Sequence, residues 1–142
     1  MKVTTRSRYA IRALYALAIA GGDKTPVSLK KISEMESISI KYLERIFSQL
    51  LKAGIVDSVR GIYGGYIFSK PLTEITLKDV VNIMDGPIKP VDCIDENGCE
   101  HAKNCGINWI WFELKNLIDN FLEKITFDDL VYKNFTLKKE EL

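Results

Sequence analysis

From Thr5 to Ala20 apolar residues recur at helical spacing: Ala10, Leu14, Leu17 and Ala18 share one stripe, with Ile11 and Tyr15 beside it. Gly21-Gly22 ends this predicted helix. Ser28 is placed to cap a short second helix, Leu29 to Met35, because a serine oxygen accepts from an orphan N–H of the first turn. Ser37-Ile38-Ser39 breaks the period. Ser39 then caps a third helix, Ile40 to Ala53, whose stripe is Leu43, Ile46, Phe47, Leu50 and Leu51; Gly54 fits just past its end. The period next changes to that of strands. Ile55 to Val59 and Tyr66 to Ser69 read as a hairpin around Arg60-Gly61-Ile62-Tyr63-Gly64-Gly65, and Pro71 closes it.

Thr76 caps a further helix, Leu77 to about Met84, stopped by Asp85-Gly86-Pro87. Pro87 to Gly106 follows no period and holds all three cysteines, so it reads as a long functional loop. Helical spacing returns from Trp109 to Ile125, with Trp109, Phe112, Leu117, Phe121 and Leu122 among its apolar residues. Thr126 caps a last short helix, Phe127 to about Lys133, before a polar tail. The expected fold is mostly α with a small β-hairpin wing. Residues 1–86 form a winged helix-turn-helix, 87–108 a cysteine-containing loop, and 109–142 a long helix with its tail.

Composition changes this picture through charge. The 142 residues carry a net charge of only +1, which on its face argues against a polyanionic partner. The charge is divided, however: residues 1–70 sum to +7 and residues 71–142 to −6. Such asymmetry points to a nucleic-acid or membrane surface on the basic half. The apolar run from Tyr9 to Ala20 is interrupted by Arg12 and is shorter than the roughly 20 residues a bilayer needs. It also lacks a cleavage site, so the expectation is a cytoplasmic chain with no membrane partner. An odd number of cysteines fits that compartment better than a secreted disulfide framework.

The second helix of a helix-turn-helix lies in the major groove with its N-terminal residues at base edges. Here those residues are Ser39, Lys41, Tyr42, Glu44 and Arg45. Arg45 has the geometry for a bidentate bond to guanine, and Glu44 can accept from a cytosine amine. Arg60 on the wing suits a minor groove, among glycines (Gly61, Gly64, Gly65) that let a backbone approach phosphate. Arg6, Arg8, Arg12, Lys30, Lys31 and Lys52 supply charge for the duplex backbone.

Cys93, Cys99 and Cys105 lie in the irregular loop with five residues between each and the next. Thiolates suit iron–sulfur clusters and zinc, so the spacing is compatible with a cluster, with a zinc site completed by His101, with three free thiols, or with a redox-switch disulfide. A nucleophilic cysteine enzyme using His101 is disfavoured, because nothing resembles an oriented triad or an oxyanion hole.

Four stretches together resemble the IscR-type iron–sulfur regulators, bacterial winged-helix transcription factors of the Rrf2 superfamily. They are Lys2 to Ala10, Ile38 to Phe47, Val59 to Tyr66 and the three cysteines. The resemblance implies a homodimer on a palindromic double-stranded DNA operator. It also implies an iron–sulfur cluster, 2Fe-2S in preference to 4Fe-4S, on Cys93, Cys99 and Cys105. The helix after the loop would form the dimer interface through Trp109, Trp111, Phe112 and Leu117, some of which are expected to be intramolecular core instead. One departure stands out. Members resembling IscR use a histidine three residues after the last cysteine, and that position is Asn108 here; other relatives use an N-terminal aspartate, where this chain offers Arg8. His101, Asn108, a loop acid or a group of the second chain is left as fourth ligand. The expected function is a dimeric regulator, not an enzyme, sensing cluster status, redox state or nitric oxide. The alternative is a cluster-free cysteine-based sensor of redox state or a metabolite, acting through partner proteins such as those of cysteine metabolism or cluster assembly.

Overall fold

The helices begin where a side chain can close the first turn. Thr4 accepts from the Ser7 N–H at the head of α1 (Thr5–Ile19), Ser28 from Lys31 at α2 (Leu29–Glu36), and Ser39 from Tyr42 at α3 (Ile40–Lys52). Thr76 and Asp79 form a reciprocal capping box ahead of α4 (Leu77–Asp85). Between that helix and the last runs α5 (Asn108–Lys124), with no side-chain cap. Thr126 and Asp129 exchange the same pair of bonds ahead of α6 (Phe127–Tyr132). This is a computed structural model, and it describes residues 2–94 and 105–132.

α1 is the centre of the core and packs on α2, α3, α4 and α6. Its buried face is broader than the sequence stripe: Ser7, Ala13 and Ala16 join Ala10, Leu14, Leu17 and Ala18. Alanines on that face let neighbouring helices come close. α3 adds Leu43, Ile46, Phe47 and Leu50. Leu51, expected on that stripe, is instead 39% exposed. As the next residue after Leu50 it is turned by about 100° around the helix axis, off the buried face.

Between α2 and α3, Ser37 sits in the left-handed region with φ 56° and ψ 41°. The Ser33 hydroxyl donates to the Ile38 carbonyl at 2.5 Å and tightens this turn, while Ile38 is buried. The wing follows. β1 (Val56–Val59) runs antiparallel to β2 (Gly65–Phe68), with Val56 opposite Phe68 and Val59 opposite Gly65. On the other side of β2, Val27 and Tyr66 exchange two backbone hydrogen bonds of 2.9 Å each, so the wing is tied to the segment entering α2.

After the wing, a 3-10 turn at Leu72–Glu74 that the sequence pattern does not announce buries Leu72, with Ile75 just beyond it. The Ile75 carbonyl accepts from the Phe127 N–H at 3.0 Å, and the Leu77 N–H donates to the Ile125 carbonyl at 2.9 Å. Phe127 is fully buried against the helix-turn-helix core. The chain therefore leaves that core along α5 and returns to it at α6. No helix among the described residues is long and apolar enough to cross a membrane.

Candidate nucleic-acid interface and cysteine loop

The start of α3 presents Ser39, Lys41, Glu44 and Arg45 to solvent. Tyr42 is half-buried, its ring edge-on to Tyr9 with centroids 5.6 Å apart. It braces α3 against α1 and leaves the neighbouring polar residues free to face outward. A cleft of about 750 Å³ runs between the start of α1 and the outer face of α3, with Thr4, Arg6, Lys41, Glu44 and Arg45 in its lining. Three cations and one carboxylate thus share one concave face.

The other α1 arginines are used differently. Arg8 is exposed, and its guanidinium donates to the Thr5 hydroxyl at 3.0 Å. Arg12, expected to supply phosphate-facing charge, is drawn to the end of α2. Its Nε donates to Glu36 Oε2 at 3.2 Å, and its Nη2 to the Glu36 carbonyl at 2.6 Å. Its guanidinium also lies over the Tyr9 ring, 5.1 Å from the centroid. A cation beside the C-terminal carbonyls of a helix is favourably placed.

In the wing, Arg60 is exposed at the end of β1. The close approach that Gly64 and Gly65 permit is to the chain's own backbone. A Cβ on Gly64 would lie 2.1 Å from the Val59 carbonyl oxygen, and one on Gly65 2.1 Å from that of Val27.

Asp85, just ahead of the loop, is tied to this face. It is the last residue of α4, where a carboxylate is poorly matched to the helix dipole. The structure compensates by turning it onto the N-terminus of α1. The Thr4 hydroxyl donates at 2.5 Å, the Thr4 N–H at 3.1 Å and the Ser7 hydroxyl at 2.7 Å, with the Arg6 guanidinium 4.0 Å away. Burial works to raise the Asp85 pKa. The hydrogen bonds from Thr4 and Ser7, with Arg6, outweigh it and hold the carboxyl below its ordinary value. In the sequence Asp85 reads only as part of a helix stop; the signal that could have singled it out is an acid at the wrong end of a helix.

Cys93 lies in a 3-10 turn, Asp92–Ile94, that packs against α5. Cys105 is a half-buried free thiol two residues before the N-cap of α5. Asn108 opens α5, its N–H 3.5 Å from the Cys105 carbonyl. Cys99, His101 and the acids Asp95, Glu96 and Glu100 lie outside the described residues. Among the described residues no three His, Cys, Asp or Glu side chains converge.

α5 buries no residue. Ile110, Leu114, Leu117 and Phe121, at successive spacings of four, three and four, are 40%, 36%, 67% and 62% exposed. Trp109 borders this stripe, and Phe112 lies on the far side of the helix from it; both are also exposed. Trp111 falls instead on the half-buried line Trp111, Lys115, Ile118, Leu122 and Ile125, the side on which α5 meets α4. Spacing of apolar residues by threes and fours is the signal that could have identified Ile110 and Leu114 from the sequence.

Comparison with known proteins accords with this architecture. The model of the Rrf2 family, described as iron-dependent transcriptional regulators, matches residues 3–133. The HTH-type transcriptional regulator IscR of Pectobacterium carotovorum subsp. carotovorum (strain PC1) is 38% identical over 131 residues, 92% of this chain and 79% of that protein. Among solved structures, CymR (YrzC), the global cysteine regulator of B. subtilis, superimposes with a TM-score of 0.77 at 34% identity, covering 92% of this chain and 96% of that one. T. potens IscR gives 0.74 at 33% identity, covering 94% and 88%. The chain belongs to the Rrf2 family. It is an IscR-like, DNA-binding transcriptional regulator with a winged helix-turn-helix, and not an enzyme.

Proposed function

We propose that this regulator is a homodimer whose cysteine loop controls how its two winged helix-turn-helix units engage a palindromic operator. The observation that carries this reading is the Asp85 junction. Asp85, two residues before the cysteine loop begins at Pro87, holds Thr4 and Ser7 at the start of α1, and Thr4 with the nearby Arg6 lines the cleft shared with α3. A change in the loop that displaces Asp85 therefore alters the seating of α1 against the reading helix. Loop states with unequal strain at this junction shift the population of DNA-competent dimers.

The donor set fits an iron–sulfur cluster. Three soft thiols lie on one loop, and both ends of that loop are held near α5, by the packing of Asp92–Ile94 and by Cys105 just ahead of the helix. Cys93, Cys99 and Cys105 would hold it, with Asn108, His101 or a partner-chain group as the remaining ligand. When bound, such a cluster supplies a redox-active iron centre open to ligand exchange, which suits sensing of cluster supply, oxidants or nitric oxide. In DNA binding, Lys41 and Arg45 meet base edges and phosphates, Glu44 discriminates among bases, Ser39 and Arg8 stand at the margin, and Arg60 reaches the minor groove, while Gly64 and Gly65 shape the wing. Two exposed α5 stripes brought together form the dimer core around Leu117, with Trp109 at its edge and Phe112 as a further contact outside the stripe.

The test is a visible spectrum with iron and sulfide analysis of protein purified without air. Cluster absorbance that disappears in Cys99→Ala supports the reading. Protein that takes up neither iron nor sulfide on reconstitution refutes it. That second result would favour the cluster-free cysteine sensor, a reading supported by the structural likeness to a cysteine regulator.

A further inference from the structure

The tip of the wing carries a pair of side chains that the folded chain does not use. Ile62 is 96% exposed and Tyr63 91%. They are the two central residues of a tight turn closed by the Gly64 N–H donating to the Gly61 carbonyl at 3.0 Å. Such positions ordinarily take Gly, Pro, Asn or Asp. Neither Ile62 nor Tyr63 has a positive φ, so the turn admits nearly any residue and does not itself require bulky apolar ones.

The pair is also presented rigidly. Gly64 is pressed against the Val59 carbonyl and Gly65 against that of Val27, so the hairpin has little room to rock. The hairpin is fixed to α3, where Tyr66 of β2 packs on Phe47 with ring centroids 4.8 Å apart. The tip backbone therefore holds a set position relative to the reading helix, and little backbone freedom remains to be given up on binding. Arg60, exposed at the same end of the hairpin, gives the tip a positive charge.

We infer that Ile62 and Tyr63 form an apolar wedge that enters the minor groove beside Arg60 and opens a base step, bending the operator toward the wing. Apolar side chains in minor-groove proteins partly unstack a step and kink the duplex, by roughly 20–90°. The occupant is the same duplex whose major groove receives α3: the charge beside the wedge suits a polyanion, and the wing packs directly on α3. This inference rests on the DNA-binding arrangement proposed above and adds to it a specificity determinant. Flexible pyrimidine–purine steps deform most readily, so they are preferred where the tip lands.

The test uses a duplex selected by the wild-type protein from a random-sequence pool. Wild type, the neutral turn-compatible double variant Ile62→Ser/Tyr63→Asn, Tyr63→Phe and Arg60→Ala are titrated against it across salt concentrations. Bending is read by energy transfer between the duplex ends. The double variant is expected to keep the wild-type melting temperature, bind about tenfold more weakly at every salt concentration, and bend the duplex less. Its salt slope should match wild type, because no charge is removed; Arg60→Ala should instead lower the slope by about 1 for each subunit of the dimer. Tyr63→Phe, which keeps the ring, should behave as wild type. A double variant that binds and bends like wild type overturns the wedge alone. A wild-type protein that selects no duplex overturns both the wedge and the DNA-binding arrangement on which it rests.

Discussion

Asp85 puts more of the molecule's organisation into one side chain than any single motif does. Its carboxylate accepts from the Thr4 hydroxyl, the Thr4 N–H and the Ser7 hydroxyl, so replacing it strands partly buried donors. Asp85→Ala should therefore cost about 1–3 kcal/mol in a denaturant titration. The same residue sets a pH dependence. Its folded pKa lies below the ordinary 3.8, so the carboxylate's contribution is complete above that pH and disappears as pH falls through the folded value. Acid titration of wild type should show a stability loss in that range that Asp85→Ala lacks; parallel curves would remove Asp85 as its source. Gly65 makes a second residue-scale case. Its substitution by Ala forces a methyl to within 2.1 Å of the Val27 carbonyl oxygen, and Gly65 also has φ +150°. The wing must move, at a cost of about 1–3 kcal/mol, and DNA affinity should fall with it.

At the scale of elements, α5 is the exception. Every other α-helix among the described residues buries apolar residues in the chain's own core, whereas α5 leaves Ile110, Leu114, Leu117 and Phe121 open along one side. Placing a charge there should prevent pairing without unfolding the rest. Leu117→Asp is expected to convert dimer to monomer in sedimentation equilibrium while the helical circular dichroism is kept. A dimer that persists would move the interface elsewhere. α2, α3 and α4 are legible in the sequence because cap and apolar spacing agree at Ser28, Ser39 and Thr76, while α5, which has no side-chain cap, and the hairpin are legible from residue spacing and turn residues. Leu51 departs from its expected place because spacing identifies a stripe but not its edge. Residue type alone groups Trp111 with Trp109, although residues two apart on a helix point to different sides. Which residues Asp85 joins is not legible, since its partners are 78 and 81 residues away in sequence and no local pattern connects them. Arg12 shows the same limit: an arginine on a basic helix reads as nucleic-acid charge until its tie to Glu36 is seen.

For the whole molecule, the near-zero net charge is a sum over two surfaces with different tasks. The proposed reading face gathers Arg6, Lys41 and Arg45 around one cleft, while the acidic residues concentrate in the half of the sequence that carries the loop and α5. Screening makes these surfaces nearly independent, because at physiological ionic strength charges interact over only about 8 Å. Net charge is then a poor guide to DNA affinity, and local charge a good one. Two pairs of substitutions separate the cases. Lys41→Gln with Arg45→Gln removes two cations from the reading face. Glu74→Gln with Glu123→Gln neutralises two exposed carboxylates of the acidic half. If each cation meets a phosphate, the first pair should flatten the dependence of log affinity on log salt by about 0.9 for each phosphate no longer neutralised, counted in both subunits of a dimer. The second pair makes the chain more cationic by as much as the first makes it less so, yet should leave the slope unchanged. Equal and opposite shifts from the two pairs would mean that the duplex responds to the total charge, and the division of labour between the halves would have to be abandoned.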